Sequence, residues 1–244
     1  METNFCITLT TIPSRLGAIY KTIKSIEKQT LKPNRIFLNI PKEYYRFPEA
    51  EIKDTEINKI QSELLKVNRC SDFGPATKIM GGLNDVKKYD CAIIIDDDHI
   101  YHSKMCEIFI KEFEKKKNNY SYYIQKIFNL NMAQCADGFL INCEYLDEIE
   151  KFYDLYVQNN KNFFLDDDLW ISIYLQIIKK GKILNLIENF REETNKELVY
   201  EIHSNFDALS NNIHKPNKFF NRRKIAKFEY VKFMIRNYLR NFNQ

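Results

Sequence analysis

The sequence predicts an α/β protein in which a mostly parallel central sheet is covered by helices on both faces. Three observations predict this class. The chain has 244 residues, 44% hydrophobic and 29% charged, which is enough to bury the core of one ordinary domain. Residues 5–40 show a strand–helix–strand pattern. Beyond them, strand-like apolar runs keep alternating with segments of helical periodicity, which favours a parallel sheet between helical layers.

The first unit covers residues 5–40. The run "FCITLT" at 5–10 is apolar at both odd and even positions, as a strand buried on both faces is. Residues 15–30 repeat their apolar side chains at helical spacing, and "RIFLNI" at 35–40 is the second strand. A strand–helix–strand unit of this length predicts two parallel strands that are joined by a right-handed crossover.

The alternation continues along the chain after a polar, irregular excursion at residues 41–63. Further strands are predicted at 64–69, 91–95, 120–125, 136–142 and 181–187, a turn leading into a helix at 72–83, and helices at 103–117, 143–158 and 168–180. Ligands of such sheets bind beyond the carboxyl ends of the strands. The motifs "TIPSR" and "DDDH" follow two of the predicted strands, so both are expected to face a ligand crevice.

Charge and cysteine content exclude several classes of protein. The net charge of +4 is mild, and no nucleic-acid partner is predicted. The six cysteines match no zinc signature, and several lie in apolar runs, which is typical of buried free thiols in a reducing compartment. The first residues do not resemble a signal peptide, and no apolar window has the length of a membrane helix. We therefore expect a cytoplasmic location.

A triplet of aspartates, Asp96, Asp97 and Asp98, follows the apolar run "CAIII". In an extended segment alternate side chains point the same way, so Asp96 and Asp98 are expected to face one side together. Mg²⁺ is commonly held by one or two carboxylates together with substrate phosphates. The pattern favours a metal site; the alternative is an acidic loop without a ligand.

A second triplet, Asp166, Asp167 and Asp168, begins the apolar periodic run of "FLDDDLW". Aspartates at a helix start often cap the helix and interact with its dipole, which accounts for one or two of the three. A carboxylate beside a bound hydroxyl group also serves as a general base. The second triplet is therefore a candidate catalytic motif.

Three further residues are weaker candidates. Lys78 in "DFGPATK" stands at the start of a predicted helix, where it and the backbone amides suit a phosphate or nucleotide; the alternative is an ordinary turn. Arg15 in "TIPSR" is a candidate phosphate contact or a solvated arginine. His203 follows an alternating stretch and is a candidate distant metal ligand, although a lone histidine is more often structural.

Taken together, these motifs resemble the GT-A glycosyltransferases, and in particular the family 2-like group found in large DNA viruses and bacterial polysaccharide clusters. The resemblance covers residues 4–205 and rests on "ITLTTIPSRL", "SIEKQTLKPNRIFLNI", "GPATK", "IIIDDD" and "DDDLWISIYL". It implies a Rossmann-like GT-A fold, a nucleotide-diphospho-sugar donor (commonly a UDP-sugar), Mg²⁺ or Mn²⁺, and inverting transfer to a hydroxyl of a glycan or lipid-linked acceptor.

The resemblance also implies roles for the first loop and the first triplet. Thr11, Pro13 and Arg15 fall where the family's first loop lines the nucleotide. Residues 96–98 correspond to the DxD motif, with Asp98 as the direct metal ligand and Asp96 near the ribose or the metal.

For the acceptor side, the resemblance implies that Asp168 is the catalytic base, and a slip of one residue leaves Asp167 as the alternative. Asp137 and Gly138 fall in the family's glycine-containing acceptor loop. One departure is that Tyr174 stands at a position often held by arginine, so phosphate contacts are expected from elsewhere.

Two competing functions remain open. A sugar nucleotidyltransferase of related fold usually has a Gly-rich loop followed by Arg after its first strand, and "LTTIPSRLG" lacks one. A non-catalytic protein that binds through a basic tail is the second alternative, and it predicts that both triplets are replaceable.

The C-terminal segment is predicted to be separate in character: residues 1–214 form the transferase domain and residues 215–244 a basic amphipathic helix. This helix has nine Lys and Arg and one acidic residue, Glu229. Either its apolar stripe packs on the domain, or it makes a peripheral contact with a membrane. The stripe comprises Phe220, Ile225, Phe228, Val231, Ile235, Tyr238 and Leu239.

Overall fold

A seven-stranded, mostly parallel sheet forms the centre of the computed structural model, which describes residues 3–60, 62–194, 199–201 and 218–242. The strands are β1 (Phe5–Thr10), β2 (Arg35–Pro41), β3 (Leu65–Cys70), β4 (Cys91–Ile94), β5 (His99–Tyr101), β6 (Asn119–Ser121), β7 (Ile124–Ile127), β8 (Leu130–Ala133), β9 (Phe139–Asn142), β10 (Ile183–Asn185) and β11 (Val199–Glu201).

The helices lie on both faces of this sheet. They are α1 (Ile19–Glu27), α2 (Asp54–Ile57), α3 (Thr77–Met80), α4 (Leu83–Val86), α5 (Met105–Lys115), α6 (Ile149–Phe152), α7 (Lys161–Phe164), α8 (Asp167–Ile173), α9 (Ile187–Thr194) and α10 (Lys218–Phe242). The predicted α/β class with a mostly parallel sheet is confirmed.

The order of strands in the sheet is β10-β6-β9-β4-β1-β2-β3. The strand β9 is antiparallel to β4 and β6, and the other neighbours are parallel. The carboxyl ends of β1, β2, β3 and β4 therefore lie at one edge of the sheet, where the ligand crevice of such a fold is expected. The strand β5 lies outside this sheet and pairs with β11.

Alternating side chains of the sheet build two apolar layers. In β4, Ala92 and Ile94 pack in the layer that contains α3, α8 and α10, whereas Cys91 and Ile93 pack in the layer that contains α1 and α5. All four side chains are buried, which explains why this strand has apolar residues at every position.

Three predicted elements are divided in the structure, one of them the helix predicted at 168–180, in which α8 is followed by a π-helical turn at Tyr174–Ile178. The run at 120–125 is not one strand: β6 ends at Ser121, whose hydroxyl donates to the carbonyl of Tyr123, and β7 begins at Ile124 in a separate hairpin with β8. The helix predicted at 143–158 consists of a 3₁₀ turn, then α6, then a π-helical turn at Tyr153–Val157.

The C-terminal helix α10 packs on the domain through a face other than the predicted stripe. Ala226, Tyr230 and Phe233 enter the core layer. Four residues of the predicted stripe are instead exposed: Phe228, Val231, Ile235 and Tyr238. The interpretation that the predicted stripe packs on the domain was therefore wrong for these four residues. The division of the chain into two parts at residue 214 stays a prediction. Among the described residues, no helix combines the length and apolarity needed to cross a bilayer.

Candidate active site

The first aspartate triplet follows β4 at the carboxyl edge of the sheet. The guanidinium of Arg15, in the 3₁₀ turn Pro13–Arg15 after β1, lies 3.0 Å from Oδ1 of Asp97 and 2.8 Å from Oδ2 of Asp98. Asp97 and Asp98 thus share one cation, and Asp96 turns elsewhere. The expectation that Asp96 and Asp98 face one side was wrong because the chain turns at 97–98 and strand alternation no longer applies.

Neighbouring side chains hold this triplet. The hydroxyl of Thr11 donates to Oδ2 of Asp97 at 2.6 Å, and that of Thr22 to the main-chain oxygen of Asp97 at 2.8 Å. Nδ1 of His99 lies 2.6 Å from Oδ1 of Asp98. Burial raises the pKa of Asp97, whereas the contacts from His99 and Arg15 outweigh burial and lower the pKa of Asp98. The side chain of Arg15 is therefore largely buried in ion pairs, so the alternative of a solvated arginine was wrong, while a contact with phosphate stays a prediction.

Lys78 connects the two triplets. Its Nζ lies 2.5 Å from Oδ1 of Asp96 and 3.1 Å from Oδ2 of Asp167, and its side chain is 6% exposed. The two carboxylates outweigh burial and raise the pKa of Lys78, which stays charged. The main-chain oxygen of Lys78 accepts from Asn39 Nδ2 and from the Thr8 hydroxyl, so α3 is tied to β1 and β2.

The second triplet is held by a residue of α10. The guanidinium of Arg222 donates to Asp166 through Nε at 3.1 Å and Nη2 at 2.7 Å, and Nη2 also donates to Oδ2 of Asp168 at 2.7 Å. Asp166 stands at the N-cap position of α8 but makes no capping hydrogen bond through its side chain. Helix capping thus does not account for this aspartate.

Asp167 and Asp168 have different surroundings although both are buried. The amide of Cys135 donates to Oδ1 of Asp168 at 3.0 Å, and this bond with the nearby Arg222 and Lys78 outweighs burial and lowers the pKa of Asp168. Burial raises the pKa of Asp167 to about 6. Apart from its ion pair with Lys78, Oδ2 of Asp167 accepts no well-aligned hydrogen bond from the described residues.

In the part of the chain that the structure describes, Arg15, Lys78 and Arg222 each bridge two aspartates, and Lys78 joins one triplet to the other. Among the described residues, six carboxylates face Arg15, Lys78 and Arg222, so negative charge is in excess. Ligand atoms of Cys135, Asp167 and Asp168 lie within 4.8 Å of one another. The carboxylate oxygens of Asp167 and Asp168 suit a hard divalent cation such as Mg²⁺ or Mn²⁺, whereas burial raises the pKa of the Cys135 thiol and so disfavours the thiolate that would bind a metal.

The predicted acceptor residues border the same crevice. The hydroxyl of Tyr101 donates to the carbonyl of Ala136 at 2.7 Å and accepts from the amide of Asp96 at 3.0 Å, which joins this loop to the first triplet. Burial raises the pKa of Asp137. Gly138 is buried with φ +102°, and an added Cβ would lie 3.0 Å from Cε2 of Phe109. Backbone geometry therefore requires this glycine, and its contact with an acceptor stays a prediction.

Two predicted site residues remain, Pro13 and His203. Pro13 is half-buried in the 3₁₀ turn that carries Arg15. His203 lies outside the described residues. The nearby strand β11 pairs with β5, where Glu201 lies opposite His99 directly after the first triplet.

Sequence reasoning missed Arg222, the third cation of the site. Nothing in the local sequence distinguishes Arg222 from the other eight basic residues of the C-terminal segment. Charge balance is the signal that was available: six aspartates near a predicted crevice call for more cations than Arg15 and Lys78 supply.

The sequence matches no protein-family model and no curated protein. Solved structures do match. The mannosyltransferase PcManGT from Pyrobaculum calidifontis, in complex with GDP-Man and Mn²⁺, is 10% identical with a TM-score of 0.51 over 76% of this chain and 55% of that chain. A cytidylyltransferase from Leptospira borgpetersenii serovar Hardjo-bovis is 12% identical with a TM-score of 0.50 over 76% of this chain and 75% of that chain.

A third match, the galactosyltransferase LgtC with donor and acceptor sugar analogs, has 11% identity and a TM-score of 0.43 over 68% of this chain and 70% of that chain. The chain spans little more than half the length of the mannosyltransferase. At these identities the likeness concerns the fold: the chain has a GT-A-like, Rossmann-like fold, and the predicted resemblance is confirmed at that level.

Proposed function

We propose that this chain is a metal-dependent glycosyltransferase that moves a sugar from a nucleotide-diphospho-sugar, commonly a UDP-sugar, to a hydroxyl of a glycan or lipid-linked acceptor, with inversion. The observation that carries the proposal is the pair of largely buried aspartate triplets that Lys78 joins at the carboxyl edge of the parallel strands. One triplet suits the charged diphosphate end of a donor, and the other suits proton removal from an acceptor.

The donor side of the site is formed by the first triplet and the first loop. Asp98 would hold Mg²⁺ or Mn²⁺, and such an ion stabilises the negative charge of a departing nucleoside diphosphate. The mannosyltransferase of similar fold holds GDP-Man and Mn²⁺, which supports this assignment. Thr11 and Arg15 keep the first loop against Asp97, so that this loop and Pro13 line the nucleotide.

On the acceptor side, we assign the general base to Asp167. A general base works best when its pKa lies near the working pH, and the pKa of Asp167 is raised to about 6. The alignment of motifs favours Asp168 instead, but both oxygens of Asp168 already accept hydrogen bonds. The base takes the proton of the acceptor hydroxyl, whose oxygen attacks the anomeric carbon opposite the leaving diphosphate. Asp137 and Gly138 line the acceptor.

A sugar nucleotidyltransferase is the second candidate, because the cytidylyltransferase from Leptospira has a similar fold. Such an enzyme joins a nucleoside triphosphate to a sugar phosphate and releases pyrophosphate. The two candidates therefore differ in the small molecule that each consumes.

A panel of nucleotide sugars with Mg²⁺ or Mn²⁺ tests the proposal. We expect slow hydrolysis of one donor, faster turnover with an acceptor, and loss of activity in excess EDTA. Asp98→Ala is expected to lose activity and metal-dependent donor binding, whereas Asp154→Ala, at an exposed position, retains both. Release of pyrophosphate from a nucleoside triphosphate and a sugar phosphate, without turnover of any nucleotide sugar, establishes the second candidate instead.

We further propose that α10 contacts an anionic membrane surface. Its outer face exposes Phe228, Ile235 and Tyr238 at 64%, 56% and 66%. Basic residues of the same helix flank them, among them Lys224, Lys227 and Lys232. Exposed aromatic and aliphatic side chains among cations suit an interface with anionic lipid, where a lipid-linked acceptor would lie.

A further inference from the structure

We propose that Arg222 is a positioning residue of the catalytic centre, so that the C-terminal helix α10 is a working part of the site. This inference rests on the proposed function, because it gives Arg222 a task in the transfer reaction. The contact spans 54 residues along the chain between Arg222 and Asp168. The other two cations lie nearer the edge of the sheet, Arg15 in the 3₁₀ turn after β1 and Lys78 in α3.

The geometry around Asp168 supports this role. One oxygen accepts from the Cys135 amide at 3.0 Å and the other from Arg222 at 2.7 Å, so two donors from different segments orient the carboxylate. Arg222 also binds both oxygens of Asp166, and this two-point contact fixes the plane of its guanidinium. Asp166 and Asp168 are the neighbours of Asp167 on each side, so Arg222 holds the start of α8 that presents Asp167.

Helix α10 is anchored independently of Arg222. The buried carboxylate of Glu229 accepts from Asn160 at 2.8 Å and from Asn162 at 2.9 Å, and the hydroxyl of Tyr230 donates to Asn129 at 2.8 Å. Phe233 packs in the core one turn further on. A substitution at Arg222 therefore removes the contacts with the triplet while the rest of the helix stays docked.

Three variants test the inference. Arg222→Met removes both charge and hydrogen bonds, and Arg222→Lys keeps the charge without the planar fork. Arg223→Met is the matched control because Arg223 is exposed on the same helical turn. A misplaced catalytic group costs up to about 10²-fold in rate, so we expect Arg222→Met to lower kcat by roughly that factor. The donor KM should stay near that of the unchanged protein, and Arg222→Lys should recover part of kcat.

A second measurement does not depend on activity. Because Asp168 accepts from the amide of Cys135, loss of its orientation should free that amide. We expect hydrogen exchange at Cys135 to accelerate by about tenfold or more in Arg222→Met and to stay unchanged in Arg223→Met.

The outcomes separate this inference from the proposed function. If the unchanged protein turns over no nucleotide sugar, the proposed function fails, and exchange at Cys135 still decides whether Arg222 orients Asp168. If the unchanged protein is active, and Arg222→Met matches Arg223→Met in kcat and in Cys135 exchange, the inference is overturned. A lower melting temperature alone, with both readouts unchanged, also overturns it, because Arg222 is then only structural.

Discussion

Asp167 and Asp168 are adjacent in sequence but are prepared for different chemistry. The pKa of Asp167 is raised to about 6 by burial, and the pKa of Asp168 is lowered by Arg222, Lys78 and the Cys135 amide despite burial. A general base acts in its ionised form. The dependence of activity on pH is therefore expected to differ according to whether Asp167 or Asp168 is the base.

We expect kcat/KM to fall as the pH is lowered through about 6, because Asp167 becomes protonated there. Asp167→Asn should remove this acid limb and lower kcat by about 10²-fold or more. Asp168→Asn, with the same change of charge at the next position, is the control and should retain the limb. The measurement is kcat/KM between about pH 5 and 8.5, the range over which such a limb is visible. A profile that is flat down to pH 5, with only Asp168→Asn inactive, would assign the base to Asp168.

The composition of the site could be predicted from the sequence, but the pairing of its charges could not. Adjacent aspartates after an apolar run identify a strand end at a crevice, which is a local pattern. Which cation each aspartate meets depends on distant segments: Arg15 is 82 residues from Asp97, and Arg222 is 56 residues from Asp166. The hydrophobic periodicity of one segment does not show which distant cation its aspartates will contact.

At the scale of elements, the turn before α3 packs closely against the end of α7. Gly74 has φ +62°, a left-handed conformation, and its amide donates to Oδ1 of Asp72 at 2.7 Å. A Cβ at this position would lie 2.8 Å from the main-chain oxygen of Phe164, which ends α7 just before the second triplet. The turn therefore packs directly against the segment that leads into α8.

Gly74→Ala is expected to destabilise the protein by about 1–3 kcal/mol, because it combines an unfavourable φ with a steric clash against backbone. Gly17→Ala is the matched control, since a Cβ there would meet nothing within 4 Å; it should leave stability within about 1 kcal/mol of the unchanged protein. Urea unfolding of both variants measures the difference. Equal stability of the two variants contradicts the close packing of the turn against Phe164.

Strands and helices could be predicted where a single hydrophobic pattern dominates the segment, but not where two hydrophobic patterns are present together. The buried strands β1, β2 and β4 were recognised because each is apolar at nearly every position. Helix α10 has apolar residues on two faces, with Tyr230 and Phe233 buried and Phe228 and Ile235 exposed. Periodicity alone does not decide which face meets the domain, because that depends on the shape of the surface it packs against.

At the scale of the whole molecule, α10 belongs to the core on one side and to the surface on the other. Removing the helix would strip Tyr230 and Phe233 from the core, so truncation does not isolate a membrane contact. Substitutions confined to the outer face do isolate it.

We expect the unchanged protein to sediment with vesicles that contain anionic lipid at low salt, and to be released as salt screens the basic residues. The double variant Phe228→Ser/Ile235→Ser should lose sedimentation while its melting temperature stays unchanged, because both side chains are exposed. Leu155→Ser, at another exposed apolar position, is the control and should still sediment. If the unchanged protein never sediments with such vesicles, the membrane contact is refuted.

The position of Lys78 between the two triplets also limits how this site can evolve. Loss of Lys78 leaves the buried Asp167 and the neighbouring Asp96 without their shared cation, and breaking a buried ion pair costs about 3–5 kcal/mol. That is a large share of the roughly 5–15 kcal/mol by which domains are stable. Replacement of Lys78 alone is therefore disfavoured, and we expect relatives of this chain that lack this lysine to have replaced Asp96 and Asp167 as well.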